Sequence, residues 1–232
     1  MAVPRSVTVR EAQAFGHSRL VTLEGEPLGF KGGQYVIVDA GVKLPNGKQA
    51  KRAYSILSAD SEQGSFQLAA KDLGGPASGY LNRVEAGAAV PFSGPWGKFW
   101  APEGMGGTSL VFVTDTAITA GLGLVRGLNF RGPAHLAWFV EGPDYFLPPD
   151  WVWALLQEGV TLEILPAPAV DHPDRLPAAR AAFAALRERL MPAQVFLAGD
   201  GAVILPLKEE VEGALTEVYF NDPARKSAGG VA

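Results

Sequence analysis

The stretch Arg52-Ala53-Tyr54-Ser55-Ile56-Leu57-Ser58 is typical of a short strand that carries a cation, an aromatic ring and a hydroxyl at fixed spacing. Alternate side chains of a strand share a face, so Arg52 and Tyr54 point one way and Ser55 points the other, close behind the ring. This spacing suits a long ligand with a pyrophosphate for the cation and a flat ring for the aromatic group and the hydroxyl. The same residue types are common on exposed strands, so the stretch alone favours an ordinary structural role.

Strand-like alternation surrounds this stretch in the first part of the chain. The alternating segments, which are separated by glycine and proline signals, are residues 6–15, 19–23, 34–40, 51–58, 65–71 and 89–92. Residues 77–84 have the pattern of one short helix, and Pro45-Asn46-Gly47 indicates a hairpin turn. The pattern predicts an antiparallel β-barrel or sandwich.

The start of that helix contains groups that suit a phosphate. Unpaired N–H groups at a helix N-terminus attract anions, Gly75 allows close approach of the backbone, and Ser78 adds a hydroxyl. Taken alone, Ser78 is more typical of an ordinary helix cap. With Arg52 as a second phosphate ligand, the pattern favours a pyrophosphate site.

A glycine-rich segment at residues 102–107 predicts a boundary between domains 1–101 and 108–232. The predicted strands beyond it are 110–114, 135–140, 161–165, 194–198 and 218–220, and the helices are 118–128, 149–157, 178–190 and 202–214. Alternating strands and helices form a parallel sheet flanked by helices, and continuous apolar strands are buried on both faces. The predicted fold is an antiparallel β-barrel followed by a Rossmann-like α/β domain.

Composition excludes several classes of protein. A net charge of −4 and a pI near 5.4 give no basic field for nucleic acid. The chain has no cysteine, which excludes a cysteine-ligated iron–sulfur cluster, and its three histidines lack ligand-like neighbours, so we expect no metal site. No signal peptide and no apolar run of transmembrane length are recognisable. We therefore expect a cytoplasmic protein without a membrane partner, of unknown oligomeric state.

Three further blocks accompany the opening stretch in a fixed order: residues 30–38 (FKGGQYVIV), 74–81 (GGPASGYL) and 93–99 (SGPWGKF). In this order and at these intervals, the four blocks resemble the flavin-binding domain of the ferredoxin–NADP reductase superfamily. The resemblance covers roughly residues 5–220 and is strongest before Ala101.

The resemblance implies a bound flavin, FAD rather than FMN, which takes hydride from NADH or NADPH and releases electrons singly to a separate acceptor. It gives catalytic roles to Ser55, as the hydrogen-bond partner of the reactive ring nitrogen, and to Tyr54, as the stacking group. The expected cofactor-binding residues are Arg52, Ala53, Tyr54, Ser55, Ala69, Ala70, Gly75, Pro76, Ala77, Ser78 and, facing the ring from the second domain, Thr116.

The loop after residues 110–114 departs from the family's pattern, which has glycines, a threonine and then a proline around the dinucleotide. Asp115 and Ala117 replace glycines and Ala120 replaces the proline. A side chain at Ala117 hinders close backbone approach, and the carboxylate of Asp115 repels a pyrophosphate. These departures place dinucleotide binding in question.

A second carboxylate is expected at the same edge of the sheet. Asp200 follows Gly199 at the end of a predicted strand, so Thr114, Asp115, Gly199 and Asp200 are the expected nicotinamide-side residues and form an acidic mouth. Residues 141–145 (EGPDY) contain no cation for a 2′-phosphate, which favours NADH over NADPH.

Three functions follow from these residues. The first is a flavoprotein reductase whose acceptor is another polypeptide, such as an iron–sulfur protein or an oxygenase. The second is a flavin-binding electron-transfer or assembly subunit with a degenerate nicotinamide site, and the third is an interaction module without a cofactor. Tyr219 and Phe220 either place an aromatic group over the flavin or complete the core of the sheet.

Overall fold

The structure is a computed structural model that describes residues 5–71 and 78–219. The first part contains β1 (Arg5–Phe15), β2 (Ser18–Glu24), β3 (Tyr35–Lys43), β4 (Gln49–Ser55), β5 (Ser65–Ala70), α1 (Ser78–Leu81) and β6 (Ala89–Trp96). The second part contains β7 (Ser109–Thr114), α2 (Ile118–Val125), β8 (Ala134–Val140), α3 (Pro149–Ala154), β9 (Val160–Pro166), α4 (Arg175–Leu190), β10 (Gln194–Asp200), α5 (Gly201–Glu209) and β11 (Leu215–Tyr219). In these two ranges, no helix is both long and apolar enough to cross a bilayer.

The first sheet is antiparallel and has the order β4-β3-β6-β1-β2-β5. Directly after β4, the amide of Leu57 donates to the carbonyl of Gln67 on β5 at 3.1 Å, so the two edge strands approach each other. The inward side chains form one cluster that includes Val21, Val36 and Leu68, each fully buried. The expected barrel-like architecture is confirmed.

The second sheet is parallel and has the order β11-β10-β7-β8-β9. Helices α2 and α3 pack on one face, and α4 and α5 pack on the other. Every residue of β7 is buried, as predicted from its continuous apolar run. The chain runs outward from β7 in one direction and resumes beside β7 at β10, so the strand order reverses between these two strands.

The two sheets share a hydrophobic core. Leu57 and Phe99 belong to the same buried cluster as Val113 and Leu124 of the second part. The rings of Phe99 and Phe196 meet edge to face at 5.9 Å between centroids. The predicted glycine-rich boundary, residues 102–107, falls between β6 and β7.

Backbone contacts between glycines bring the two parts unusually close together. A Cβ atom on Gly123 of α2 would overlap the carbonyl oxygen of Ile56, and one on Gly32 would lie 2.7 Å from the Cα of Gly127. The buried carboxylate of Asp60 accepts from the amides of Gly32 at 2.9 Å and Leu128 at 2.7 Å. The junction therefore depends on residues without side chains.

The predicted strands were found, but four predicted helices are shorter than expected, among them α3, which ends at Ala154 rather than at residue 157. Helix α2 ends at Val125 rather than at residue 128, because the Leu128 amide bonds to Asp60. Helix α5 ends at Glu209 rather than at residue 214; Pro206 lies inside it, and acidic residues at its end oppose the helix dipole. Helix α1 ends at Leu81 rather than at residue 84, and the predicted first residue, Ala77, lies outside the described ranges.

Replacing Gly123 by alanine tests the close contact between the two parts. We expect Gly123→Ala to lower the free energy of unfolding by about 1–3 kcal/mol, because the new methyl group displaces the Ile56 backbone. Gly106→Ala is the matched control, since no atom lies within 4 Å of a Cβ there, and it should change stability by less than about 0.5 kcal/mol. Denaturant unfolding measures both values, and equal midpoints would contradict the proposed role of the contact.

Candidate functional site

Strand β4 presents the opening stretch as predicted. Arg52 and Tyr54 are half-buried on one face, whereas Ala53 between them and Lys51 before them are exposed. Tyr54 packs against the hydrophobic cluster of the first sheet, and it pairs with Val36 on the neighbouring strand β3. A cation and an aromatic ring therefore lie on one strand, and their Cα atoms are about 7 Å apart along it.

Ser55 ends β4 at the junction and is buried, with 6% exposure. Its hydroxyl is hydrogen-bonded to the phenol of Tyr219, the last described residue of β11. Thr119 of α2 also bonds to that phenol. Since a hydroxyl has one donor and two acceptor positions, Ser55 retains capacity for a further partner.

Tyr219 was not identified as a contact of Ser55 from the sequence. The sequence left two alternatives for Tyr219, and its ring packs against the core of the second part, in line with the alternative that it completes the core of the sheet. Its hydroxyl, however, extends to Ser55 in the first part of the chain. The only sequence signal was an aromatic pair at the end of a predicted strand. Its partner Phe220 lies outside the described residues.

Glu217 lies two residues before Tyr219 on β11 and was also missed. Its Oε2 lies 3.0 Å from the position that a Cβ would take on Gly97. Burial raises the pKa of Glu217 to about 7. Burial, together with the charge of Glu217, raises the pKa of Tyr35 and brings that of Tyr219 to about 12. The Glu217 carboxyl group is therefore about half protonated near neutral pH.

The other predicted cofactor residues of the first part lie on β5, at the start of α1 or outside the described residues. Gly75, Pro76 and Ala77 lie outside the described residues, and Ser78 begins the short helix α1. Ala69 and Ala70 end β5, and both methyl groups pack in hydrophobic clusters. Their cofactor roles remain predictions.

Thr116 lies in a single 3₁₀ turn, Asp115–Ala117, and is half-buried. Its carbonyl oxygen accepts from the hydroxyl of Thr119 at 2.9 Å. The residue of the second part that contacts Ser55 is Tyr219. Thr116 therefore supports the position of Thr119 beside that contact, and its own contact with a ring remains a prediction.

The four predicted nicotinamide-side residues do come together at the carboxyl edge of the parallel sheet. The amide of Asp200 donates to the hydroxyl of Thr114 at 2.9 Å, and Gly199 lies against that hydroxyl. Asp115, on the next loop, is joined to this group through Arg175. The expected acidic mouth is thus partly neutralised by a cation 60 residues away in sequence from Asp115.

Among the described residues, no group of three histidine, aspartate or glutamate side chains is placed to hold a metal ion.

Comparison with known proteins identifies the first part of the chain. Residues 18–100 match the oxidoreductase FAD-binding domain. Ferredoxin–NADP reductase B of Sorangium cellulosum is 36% identical over 123 residues, which cover 53% of this chain and 49% of that protein. The reductase component of phenol 2-monooxygenase from a Pseudomonas species is 26% identical over 118 residues, which cover 50% of this chain and 32% of that protein.

The fold extends the similarity over both parts. A cytochrome P450 reductase of Amycolatopsis is 23% identical and superimposes with a TM-score of 0.70, covering 94% of this chain and 71% of that one. The aligned region spans about half the length of the first curated relative and about a third of the second. The matched domain confirms the expectation of FAD. The first part of the chain therefore matches an oxidoreductase FAD-binding domain, and the whole chain is similar to members of the ferredoxin–NADP reductase superfamily.

Proposed function

We propose that the chain is a flavin-dependent oxidoreductase that passes electrons from NADH or NADPH through bound FAD to a separate acceptor protein. The observation that carries this proposal is the meeting of Ser55 and Tyr219 at the junction of the two sheets. It places hydroxyl groups from both parts beside the strand that carries Arg52 and Tyr54. That strand lies within the residues that match the FAD-binding domain.

The donor set on β4 fits a flavin nucleotide. Arg52 would pair with the phosphates, Tyr54 would lie against the ring, and Ser55 would hydrogen-bond the ring edge. FAD, when bound, supplies the chemistry of taking two electrons as hydride and releasing them singly. The protein's contribution is to orient the ring and exclude water from the buried junction.

The hydrogen-bonding groups on β11 support the same function. A protonated Glu217, together with the hydroxyl groups of Ser55 and Tyr219, offers hydrogen bonds without placing a full charge beside the ring. Because the pKa of Glu217 is about 7, its carboxyl group suits a ring that gains and loses protons as it gains and loses electrons.

The electron acceptor in this proposal is a separate iron–sulfur protein or oxygenase. The sequence has no cysteine to hold a cluster of its own. The names of the relatives support this class of partner, since one is a ferredoxin–NADP reductase and another is the reductase component of a monooxygenase. NADH is the preferred donor because residues 141–145 carry no cation for a 2′-phosphate.

A second function is favoured by the ion pairs at the edge of the parallel sheet. If Arg175 and its two carboxylate partners prevent any nicotinamide from reaching the flavin, the chain is a flavin-binding electron-transfer subunit. Anaerobic addition of NADH or NADPH to the FAD-loaded chain separates the two functions. Bleaching of the flavin supports the reductase, and a flavin that only dithionite reduces supports the electron-transfer subunit.

Replacing Arg52 by alanine tests the assignment of the FAD site. We expect Arg52→Ala to weaken FAD binding about 10- to 100-fold, since a charge-assisted phosphate contact is typically worth about 1.5–3 kcal/mol. Lys51→Ala removes the same charge from the exposed neighbouring position and should change the dissociation constant by less than about threefold. Fluorescence titration of FAD measures both, and equal losses in the two variants would contradict the assignment.

Replacing Glu217 by glutamine tests whether the junction holds a proton near neutral pH. The pKa of Glu217 is about 7 in the folded chain, whereas the ordinary pKa of a glutamate is 4.5. The stability of the wild type therefore falls as the pH rises from 4.5 to about 7. At pH 8, Glu217→Gln should be more stable than the wild type by about 1–2 kcal/mol, a value reduced for partial exposure. At pH 4 the two should be equal.

Denaturant unfolding at both pH values measures this difference. Glu209→Gln, at an exposed position of α5, is the control and should give the same difference at pH 4 and pH 8. A pH-independent effect of Glu217→Gln would show that the pKa of the carboxyl group is the same in the folded and the unfolded chain.

A further inference from the structure

Arg175, the first residue of α4, is the buried cation of the second part, with 2% exposure. Its Nη2 donates to Oδ2 of Asp115 at 2.5 Å, and its Nε lies 3.9 Å from Oδ2 of Asp200. Its Nη1 donates to the carbonyl oxygen of Pro168 at 2.5 Å. We call Asp115, Arg175 and Asp200 the edge network.

Both carboxylates of the edge network are fixed by their own elements. Oδ1 of Asp200 accepts from the amide of Ala202 and thereby caps α5, at 3.0 Å. Asp115 adopts a left-handed backbone conformation, with φ of 49°, and its carbonyl oxygen accepts from the indole of Trp138 at 2.8 Å. The helix cap thus holds the carboxylate of Asp200 at the edge, and Arg175 holds that of Asp115, whose backbone is fixed by Trp138.

The edge network lies where a parallel sheet normally receives a dinucleotide. Asp115 follows β7 and Asp200 ends β10, and the strand order reverses between these two strands. A helix N-terminus at such an edge ordinarily binds the pyrophosphate. Here the amide of Ala202, at the start of α5, is already bonded to Asp200.

The charge of the edge network also opposes a pyrophosphate. Two carboxylates share one guanidinium group, so the group carries one net negative charge when both carboxylates are ionised. Arg175 is engaged with Asp115 and with a backbone carbonyl. Burial raises the pKa of Asp115 against the opposing effect of Arg175, which indicates that this charge is held in a weakly solvated place.

We propose that the edge network excludes the pyrophosphate of a dinucleotide from the edge formed by Thr114 and Gly199, and that Asp115 is the residue that determines this selectivity. The inference rests on the proposed function. The preferred reductant is then a dihydronicotinamide compound that either has no phosphates or keeps its phosphates outside this edge. NADH, which carries a pyrophosphate, is correspondingly a slower donor than a dihydronicotinamide without phosphates.

Two electron donors distinguish the effect of the dihydronicotinamide ring from the effect of the phosphates. NADH carries a pyrophosphate, whereas 1-benzyl-1,4-dihydronicotinamide carries the same reacting ring without phosphate. With either donor, one hydride and its two electrons leave the dihydronicotinamide, which becomes the pyridinium, and the flavin is bleached. Anaerobic stopped-flow mixing with the FAD-loaded full-length chain gives a second-order rate constant for each donor.

Removal of the Asp115 charge should favour NADH. We expect Asp115→Asn to raise the ratio of the NADH rate constant to the benzyl-donor rate constant about tenfold, because a unit charge near the phosphates is lost. Asp115→Gly is the second variant; it removes the charge and suits the left-handed backbone. Asp174→Asn, at an exposed position beside Arg175, removes the same charge outside the edge network and should leave the ratio within twofold.

A ratio that stays within twofold of the wild type in both Asp115 variants would overturn the proposal. So would a wild-type ratio already at or above one. A wild-type flavin that neither donor bleaches would instead contradict the proposed function, and the inference would be lost with it. Near-ultraviolet circular dichroism of each variant confirms that the ratio is measured on folded protein.

Discussion

The fold depends on the contact between the backbone of α2 and the end of β4, where Gly123 lies directly against the carbonyl oxygen of Ile56. Ser55 precedes Ile56, so this contact fixes the position of its hydroxyl at the junction. Thr119 lies one turn before Gly123 on the same face of α2, which brings its hydroxyl to the phenol of Tyr219. The contact that joins the two sheets therefore also assembles the candidate site.

Polar groups around this contact hold the junction together without leaving charges unsatisfied. Asp60 accepts two backbone N–H groups from opposite sides of the junction, and Arg126 of the second part donates to the carbonyl oxygen of Leu57 at 2.9 Å. Both interactions use backbone groups that the close approach would otherwise bury unpaired. The shared hydrophobic core then continues across the junction through Phe99 and Phe196. A ring bound against β4 would thus be bordered on its other side by the second part of the chain.

Local pattern was sufficient for the strands and for the placement of Arg52, Tyr54 and Ser55, because side-chain alternation in a strand is a property of neighbouring residues. It was insufficient for Arg175, which reaches Asp115 only because α4 begins beside the edge of β7. The contact between Gly123 and Ile56 is likewise invisible in the sequence, since a glycine carries no sign of what approaches it. The sequence therefore indicated what the strands present, and tertiary structure decided what meets them.

The candidate flavin site and the edge network are mechanically coupled through β10 and β11. Asp200 pairs with Tyr219, and Gly199 pairs with Val218, in the parallel register of these strands. The Asp200 backbone is in turn bonded to Thr114 of β7. Moving Asp200 far enough to admit a pyrophosphate would therefore displace the strand pair that holds the Tyr219 hydroxyl against Ser55. The edge of the sheet and the junction share β10 and β11, so the proposed selectivity at the edge and the order of the proposed flavin site have the same structural basis.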